Sequence, residues 1–156
     1  MSERRKEVQW LETFNPGGVA CVSVRPVSCF CGMVHVHPAI LLIDDHDDVR
    51  DGLEVVLRRE GYAVETAANG REALNKLCGG LRPCIILMDL MMPVMTGYEF
   101  RQEQLAYPEF RDIPLIVYSG VTDVHENARH LQAAAYAEKP IELDRLMGLV
   151  RQHCLK

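Results

Sequence analysis

Cys84-Ile85-Ile86-Leu87-Met88-Asp89 decides the fold: five apolar residues run without a break and stop on a carboxylate. A strand wet on one face would alternate apolar and polar residues. This one does not, so both of its faces are covered, as in a parallel sheet held between helices. The same shape recurs upstream, where Ala39-Ile40-Leu41-Leu42-Ile43 runs into Asp44-Asp45. It recurs downstream, where Pro114-Leu115-Ile116-Val117-Tyr118 runs into Ser119-Gly120. Tyr62–Ala67 alternates weakly and reads as a further strand. Ala134–Glu138 reads as a short one that ends in Lys139-Pro140.

Helical patterns fill the gaps. Residues 48–60 place Val49, Leu53, Val56 and Leu57 on one face, with Asp47 and Asp48 as expected caps and Gly61 as the stop. After the Asn69-Gly70 turn, residues 71–78 turn Ala73, Leu74 and Leu77 inward. Further helices are predicted over 97–106, over a polar stretch at 123–132, and from Ile141 to Cys154 with Leu143, Leu146, Met147 and Val150 as the apolar stripe. Strand and helix alternate throughout. The expected class is α/β: a five-stranded parallel sheet with helices on both faces, doubly wound.

Residues 38–156 make this regular unit, and residues 1–37 read as an irregular N-terminal extension. The extension carries the turn Asn15-Pro16-Gly17-Gly18 and keeps no sustained period. Residues 1–32 are expected to be dispensable, with Met33 near the natural beginning of the unit. The rival expectation is that Ala20–Val24 and Met33–Val36 pair as a hairpin on the sheet edge.

The totals exclude several classes. A net charge of −5 over 156 residues argues against a nucleic-acid binder. No apolar run is long enough to span a bilayer, and no secretory signal stands out. The six cysteines show no disulfide-scaffold spacing, so reduced thiols in the cytoplasm are expected. Cys29, Cys31, His35 and His37 fit no usual zinc pattern. The chain stops after the last helix, which leaves no expected room for an output domain.

In an open parallel sheet, ligands bind beyond the carboxyl ends of the strands. Those ends deliver Asp44 and Asp45, Asp89, Ser119 and Lys139. Three crowded carboxylates repel one another, and a hard divalent cation relieves that repulsion. Mg²⁺ suits the donors and leaves a face open to a phosphoryl oxygen. Lys139 and Ser119 would stabilise that group in transit, and one carboxylate must be the nucleophile.

With these residues goes a resemblance. Asp44-Asp45, Asp89 followed by Met92-Pro93 and Gly97, Ser119-Gly120, Tyr136 and Lys139-Pro140 resemble the receiver domains of bacterial response regulators, the CheY-like family. Ala68–Leu74 resembles the start of that family's second helix. The likeness runs from about residue 38 to the C-terminus. It implies the flavodoxin-like strand order and a phosphoacceptor at Asp89. It implies Mg²⁺ held by Asp44, Asp45, Asp89 and the backbone carbonyl of Met91, and phosphoryl contacts from Ser119 and Lys139. Tyr136 would be the aromatic switch. A histidine kinase or histidine phosphotransfer protein would be the donor in a phosphorelay. The downstream target would read the surface made by the fourth helix, the fifth strand and the last helix. Phosphorylation is expected to draw Ser119 toward the phosphoryl oxygens and turn Tyr136 inward.

Two other functions compete. A phosphatase of the haloacid dehalogenase type also uses an aspartate at a strand end, but needs an acidic residue two positions on, where this chain has Met91. Only self-phosphorylation and self-dephosphorylation are therefore expected. A degenerate receiver would lack site residues, and all are present. Met91 and Val121 are apolar, so neither would orient a hydrolytic water, and slow phosphate loss is expected. His46 beside the acidic pair reads as a surface residue, the alternative being that it tunes metal affinity.

Overall fold

The computed structural model describes residues 39–120 and 129–154. Its elements are β1 (Ala39–Ile43), α1 (Asp47–Arg59), β2 (Ala63–Ala67), α2 (Gly70–Cys78), β3 (Ile85–Met88), α3 (Gly97–Ala106), β4 (Leu115–Ser119), β5 (Ala135–Glu138) and α4 (Leu143–His153). The strands form one sheet in the order β2-β1-β3-β4-β5, and every pairing is parallel. That is the flavodoxin-like order. The helix expected over 123–132 lies mostly outside the described residues. So do the N-terminal extension with its alternative hairpin, the Cys29–His37 group, and Val121.

Alternation of side chains along each strand turns the unbroken apolar runs into two cores. Leu41, Ile43, Ile86, Met88, Leu115 and Val117 face one side, where they meet Leu74, Leu77 and Phe100 from α2 and α3. Ile40, Leu42, Ile85, Leu87 and Ile116 face the other, against Leu53 and Leu57 of α1 and Leu146, Met147 and Val150 of α4. Each such side chain, fully withdrawn from water, contributes about 1.5–3 kcal/mol.

Two apolar assignments need correction. Val49 and Leu143 were expected in the buried stripes of their helices, but they are 37% and 44% exposed. Both sit in the first turn of helices that begin beyond the strand ends, where there is no sheet left to pack against. Asp47 and Asp48 do not cap α1. The cap is His46, without a side-chain capping bond, and the two aspartates lie in the first turn, where they favour the positive helix end.

The expectation of reduced cysteines is corrected at Cys84 and Cys154. Cys84, just before β3, and Cys154, the C-cap of α4, form a disulfide with Cα atoms 5.2 Å apart and a sequence separation of 70. Spacing along the chain carries no trace of such a partner; only the docking of α4 beneath β3 creates it.

Candidate functional site

Register brings the site together. Ile43 pairs with Met88, and Met88 with Val117, so β1 and β3 finish level and deliver Asp44 and Asp89 side by side. The next amides extend the ladder: Asp44 N–H donates to Ala67 O at 3.1 Å and Asp89 N–H to Ile43 O at 2.9 Å. Ser119 pairs with Glu138, and Lys139 N–H donates to Ser119 O at 3.0 Å, which brings Lys139 over the same edge. The loop behind Asp89 folds back tightly. Gly97 N–H donates to Leu90 O at 2.9 Å, and a Cβ at Gly97 would come within 2.8 Å of the Asp89 carbonyl oxygen. Only glycine allows that approach. Thr96 and Glu99 form a capping box that starts α3 at this point.

The side chains make one cluster. Lys139 Nζ lies 2.9 Å from Asp44 Oδ2 and 2.6 Å from Asp89 Oδ2. Asp89 Oδ1 accepts from Ser119 Oγ at 2.9 Å, from Leu90 N–H at 2.6 Å and from Met91 N–H at 3.4 Å. Asp44 Oδ1 accepts from His46 N–H at 2.8 Å. Asp44, Asp89 and Ser119 are buried. Ser119 Oγ is thus in hydrogen-bond contact with the Asp89 carboxylate. Tyr136 stands on β5, half-buried, against the core shared with α2 and α3. Met91 carries an exposed side chain two residues after Asp89.

Charge is unbalanced. The ammonium of Lys139 pairs with Asp44 and Asp89 but not with Asp45, and Arg50 turns away to the Asp44 carbonyl and to Asp47. Burial pushes the Asp44 carboxyl up, but the Lys139 ammonium and the His46 N–H outweigh it and hold it below its ordinary value. Burial likewise disfavours the Lys139 cation, yet hydrogen bonds and charge from Asp44 and Asp89 raise it above the usual lysine value. Asp45 Oδ1 is buried and accepts no hydrogen bond. Ligand atoms of Asp44, Asp45, His46 and Asp89 all lie within 4.8 Å of one another. An orphaned buried oxygen in a cluster with surplus negative charge fits a hard divalent cation.

One neighbour went unread in the sequence, and another reads there as a surface residue. Tyr118, fully buried on β4, lies under the site with its ring centroid 4.9 Å from Lys139 Nζ. Burial, with the Asp44 charge next, pushes its phenol well above the ordinary value, so it stays neutral. Its place in an apolar run hid it. The second is His46, whose Nδ1 is 3.0 Å from Asp45 Oδ1 and 3.3 Å from Asp44 Oδ1. Its adjacency to the acidic pair was the available signal.

Comparison with known proteins agrees with this layout. Residues 40–151 match the family model of the response regulator receiver domain. The response regulator MprA of Mycolicibacterium vanbaalenii is 35% identical over 114 residues, 72% of this chain and 48% of that protein. The chain thus spans about half the length of the MprA relatives it matches. Among solved structures, chemotaxis protein CheY4 of Vibrio cholerae superposes with a TM-score of 0.69 at 29% identity, covering 75% of this chain and 98% of that one. The receiver domain of a sensor histidine kinase from Pseudomonas aeruginosa has a TM-score of 0.70 at 27% identity, covering 77% and 99%. That structure is described with a magnesium ion coordinated in its active-site cleft. Among the described residues, no helix is long and apolar enough to cross a membrane.

Proposed function

This chain belongs to the response regulator receiver family, and from that premise we propose that it takes a phosphoryl group onto Asp89 from a phosphohistidine donor. The donor is a sensor histidine kinase or a histidine phosphotransfer protein. The observation that carries the reading is the convergence of Asp44, Asp45, Asp89, Ser119 and Lys139 on one sheet edge, with Lys139 bonded to Asp89 at 2.6 Å.

Asp89 Oδ1 is occupied by its hydrogen-bond donors, whereas Oδ2 meets Lys139. Oδ2 is therefore the freer oxygen to attack phosphorus. The new oxygen–phosphorus bond forms as the donor's phosphorus–nitrogen bond breaks, and the donor imidazole keeps that electron pair. Lys139 and Ser119 follow the charge onto the transferring oxygens. Asp45, with Asp44 and Asp89, would hold Mg²⁺ together with the carbonyl of Met91, and the ion would neutralise charge on the phosphoryl oxygens. A change at Ser119 and Tyr136 then biases the surface that a downstream partner reads.

Met91, where a phosphatase would have a general acid, supports single-turnover chemistry over an enzyme acting on external substrates. Acetyl phosphate with Mg²⁺ tests both. The proposal expects one label per chain, lost in Asp89→Asn and in excess chelator. Continuous phosphate release, or labelling of the Asn variant, would overturn it.

A further inference from the structure

We propose that His46 is a metal ligand of this site and that its imidazole turns the site toward first-row transition ions over Mg²⁺. The inference rests on the reading of the acidic cluster as the receiver's cation site, and adds a nitrogen donor to it.

Helix capping does not explain His46. It occupies the N-cap of α1, where serine, threonine, aspartate and asparagine are favoured, and its side chain makes no cap hydrogen bond. Core packing does not explain it either, because its side chain is 66% exposed. The ring instead folds back over the carboxylates. Nδ1 stands 3.0 Å from Asp45 Oδ1, yet that buried oxygen accepts no hydrogen bond. Nδ1 is thus within ion-pair distance of Asp45 and, at 3.3 Å, of Asp44, and a ring nitrogen of His46 lies within 4.8 Å of ligand oxygens of Asp44, Asp45 and Asp89. Ligands about 2.1 Å from one ion in adjacent octahedral positions lie about 3.0 Å apart. The pair therefore has the spacing of two neighbouring ligands on a shared ion.

The chemistry sets the preference. Mg²⁺ binds oxygen and dehydrates reluctantly, so an imidazole adds little to its affinity. Nickel, copper and zinc take imidazole readily, and affinity along the row rises to copper and falls at zinc. Without His46, the donors are carboxylates, a carbonyl and water, a set that suits Mg²⁺.

The test uses the full chain, with Mg²⁺ or Ni²⁺ titrated alone, and His46→Ser as the variant, because serine is a good N-cap. Ni²⁺ affinity should fall at least about tenfold while Mg²⁺ affinity stays within about twofold. Asp45→Ala should weaken both, which separates this site from histidines elsewhere. With bound Mn²⁺, electron spin-echo modulation from a coordinated nitrogen should be present in the native chain and absent in His46→Ser. Missing nitrogen modulation in the native chain, or equal losses of Ni²⁺ and Mg²⁺ affinity in the variant, would overturn the proposal. If acetyl phosphate fails to label Asp89 while the nitrogen signal is present, the phosphoacceptor reading falls and this one stands. If labelling succeeds without that signal, this one falls alone.

Discussion

Two buried polar clusters lie in this domain, and they are built on opposite plans. Around Arg101, on α3, every bond closes onto a neutral partner. Its guanidinium donates to Leu131 O, Gln132 O and Gln104 Oε1, and Gln104 in turn donates to Phe110 O and Ile113 O. One cation is spread over carbonyls, and the network ties α3 to the chain that leads into β5. At the sheet edge, one ammonium pairs with two of three carboxylates, and the third, Asp45, has a buried oxygen that accepts no hydrogen bond and has the His46 ring within ion-pair distance. A closed network rigidifies; a cluster with surplus charge and an unused acceptor waits for a ligand. The difference between a clamp and a site is therefore visible in the balance of charge and hydrogen bonds, not in burial, which the two share.

Asp89→Asn should break the comparison most sharply. Labelling by acetyl phosphate should vanish, while the thermal midpoint without divalent ion holds or rises, since one of three repelling charges is gone. A large loss of stability would mean that the cluster is a clamp after all.

Arg101→Leu should show the opposite pattern. It strands buried carbonyls and the Gln104 amide, and should cost roughly 2–4 kcal/mol in urea unfolding. Labelling of Asp89 should persist below the midpoint. Loss of labelling in a folded variant would show that the two clusters are coupled.

Divalent ion should distinguish them next. Mg²⁺ at a hundredfold excess over its dissociation constant should raise native stability by about 2.7 kcal/mol. Asp45→Ala should abolish most of that gain, and Arg101→Leu should keep it. An equal gain in all three chains would place the ion elsewhere.

A smaller effect concerns pH. Asp44 is held below its ordinary 3.8, so its contribution is present above that value and is lost as pH falls through the folded one. Lys139 is raised above 10.5, so its contribution is present below that value and is lost as pH rises further. In chelator, Asp44→Asn should flatten the acid limb of the midpoint-against-pH curve below about pH 4. Arg101 stays charged across this range and should leave the limb unchanged in Arg101→Leu. An acid limb as steep in Asp44→Asn as in the native chain would assign it to other carboxylates.

The smallest expected change is kinetic. Met91 is exposed beside Asp89 and offers no polar atom suited to orient a water. Met91→Asn should speed phosphate loss severalfold; unchanged or slower decay would remove Met91 from that role.

The sequence by itself determined the layers and which polar residues meet at the sheet edge. Unbroken apolar runs at Ala39–Ile43 and 84–88, short and closed by polar residues, read as strands covered on both faces, and each ends on the residue that the sheet then presents. Asp44, Asp45, Asp89, Ser119 and Lys139 were legible for that reason: their positions follow from where hydrophobicity stops. What the tertiary structure decided is what depends on neighbours distant in the chain. The Val49 and Leu143 periods fit buried stripes, but helix starts overhang the strand ends and leave both wet. Tyr118 looked like one more core residue until the crossing of β4 under Lys139 put its ring beneath the ammonium. Arg101 and Gln104 drew no reading beyond a helix over 97–106; the chain before β5 supplies the carbonyls against which Arg101 is buried. Cys84 and Cys154 stand 70 residues apart and meet only because α4 packs back across the sheet. A local period reports which way a side chain points on its own helix or strand, and the partner waiting there is fixed only when the elements dock.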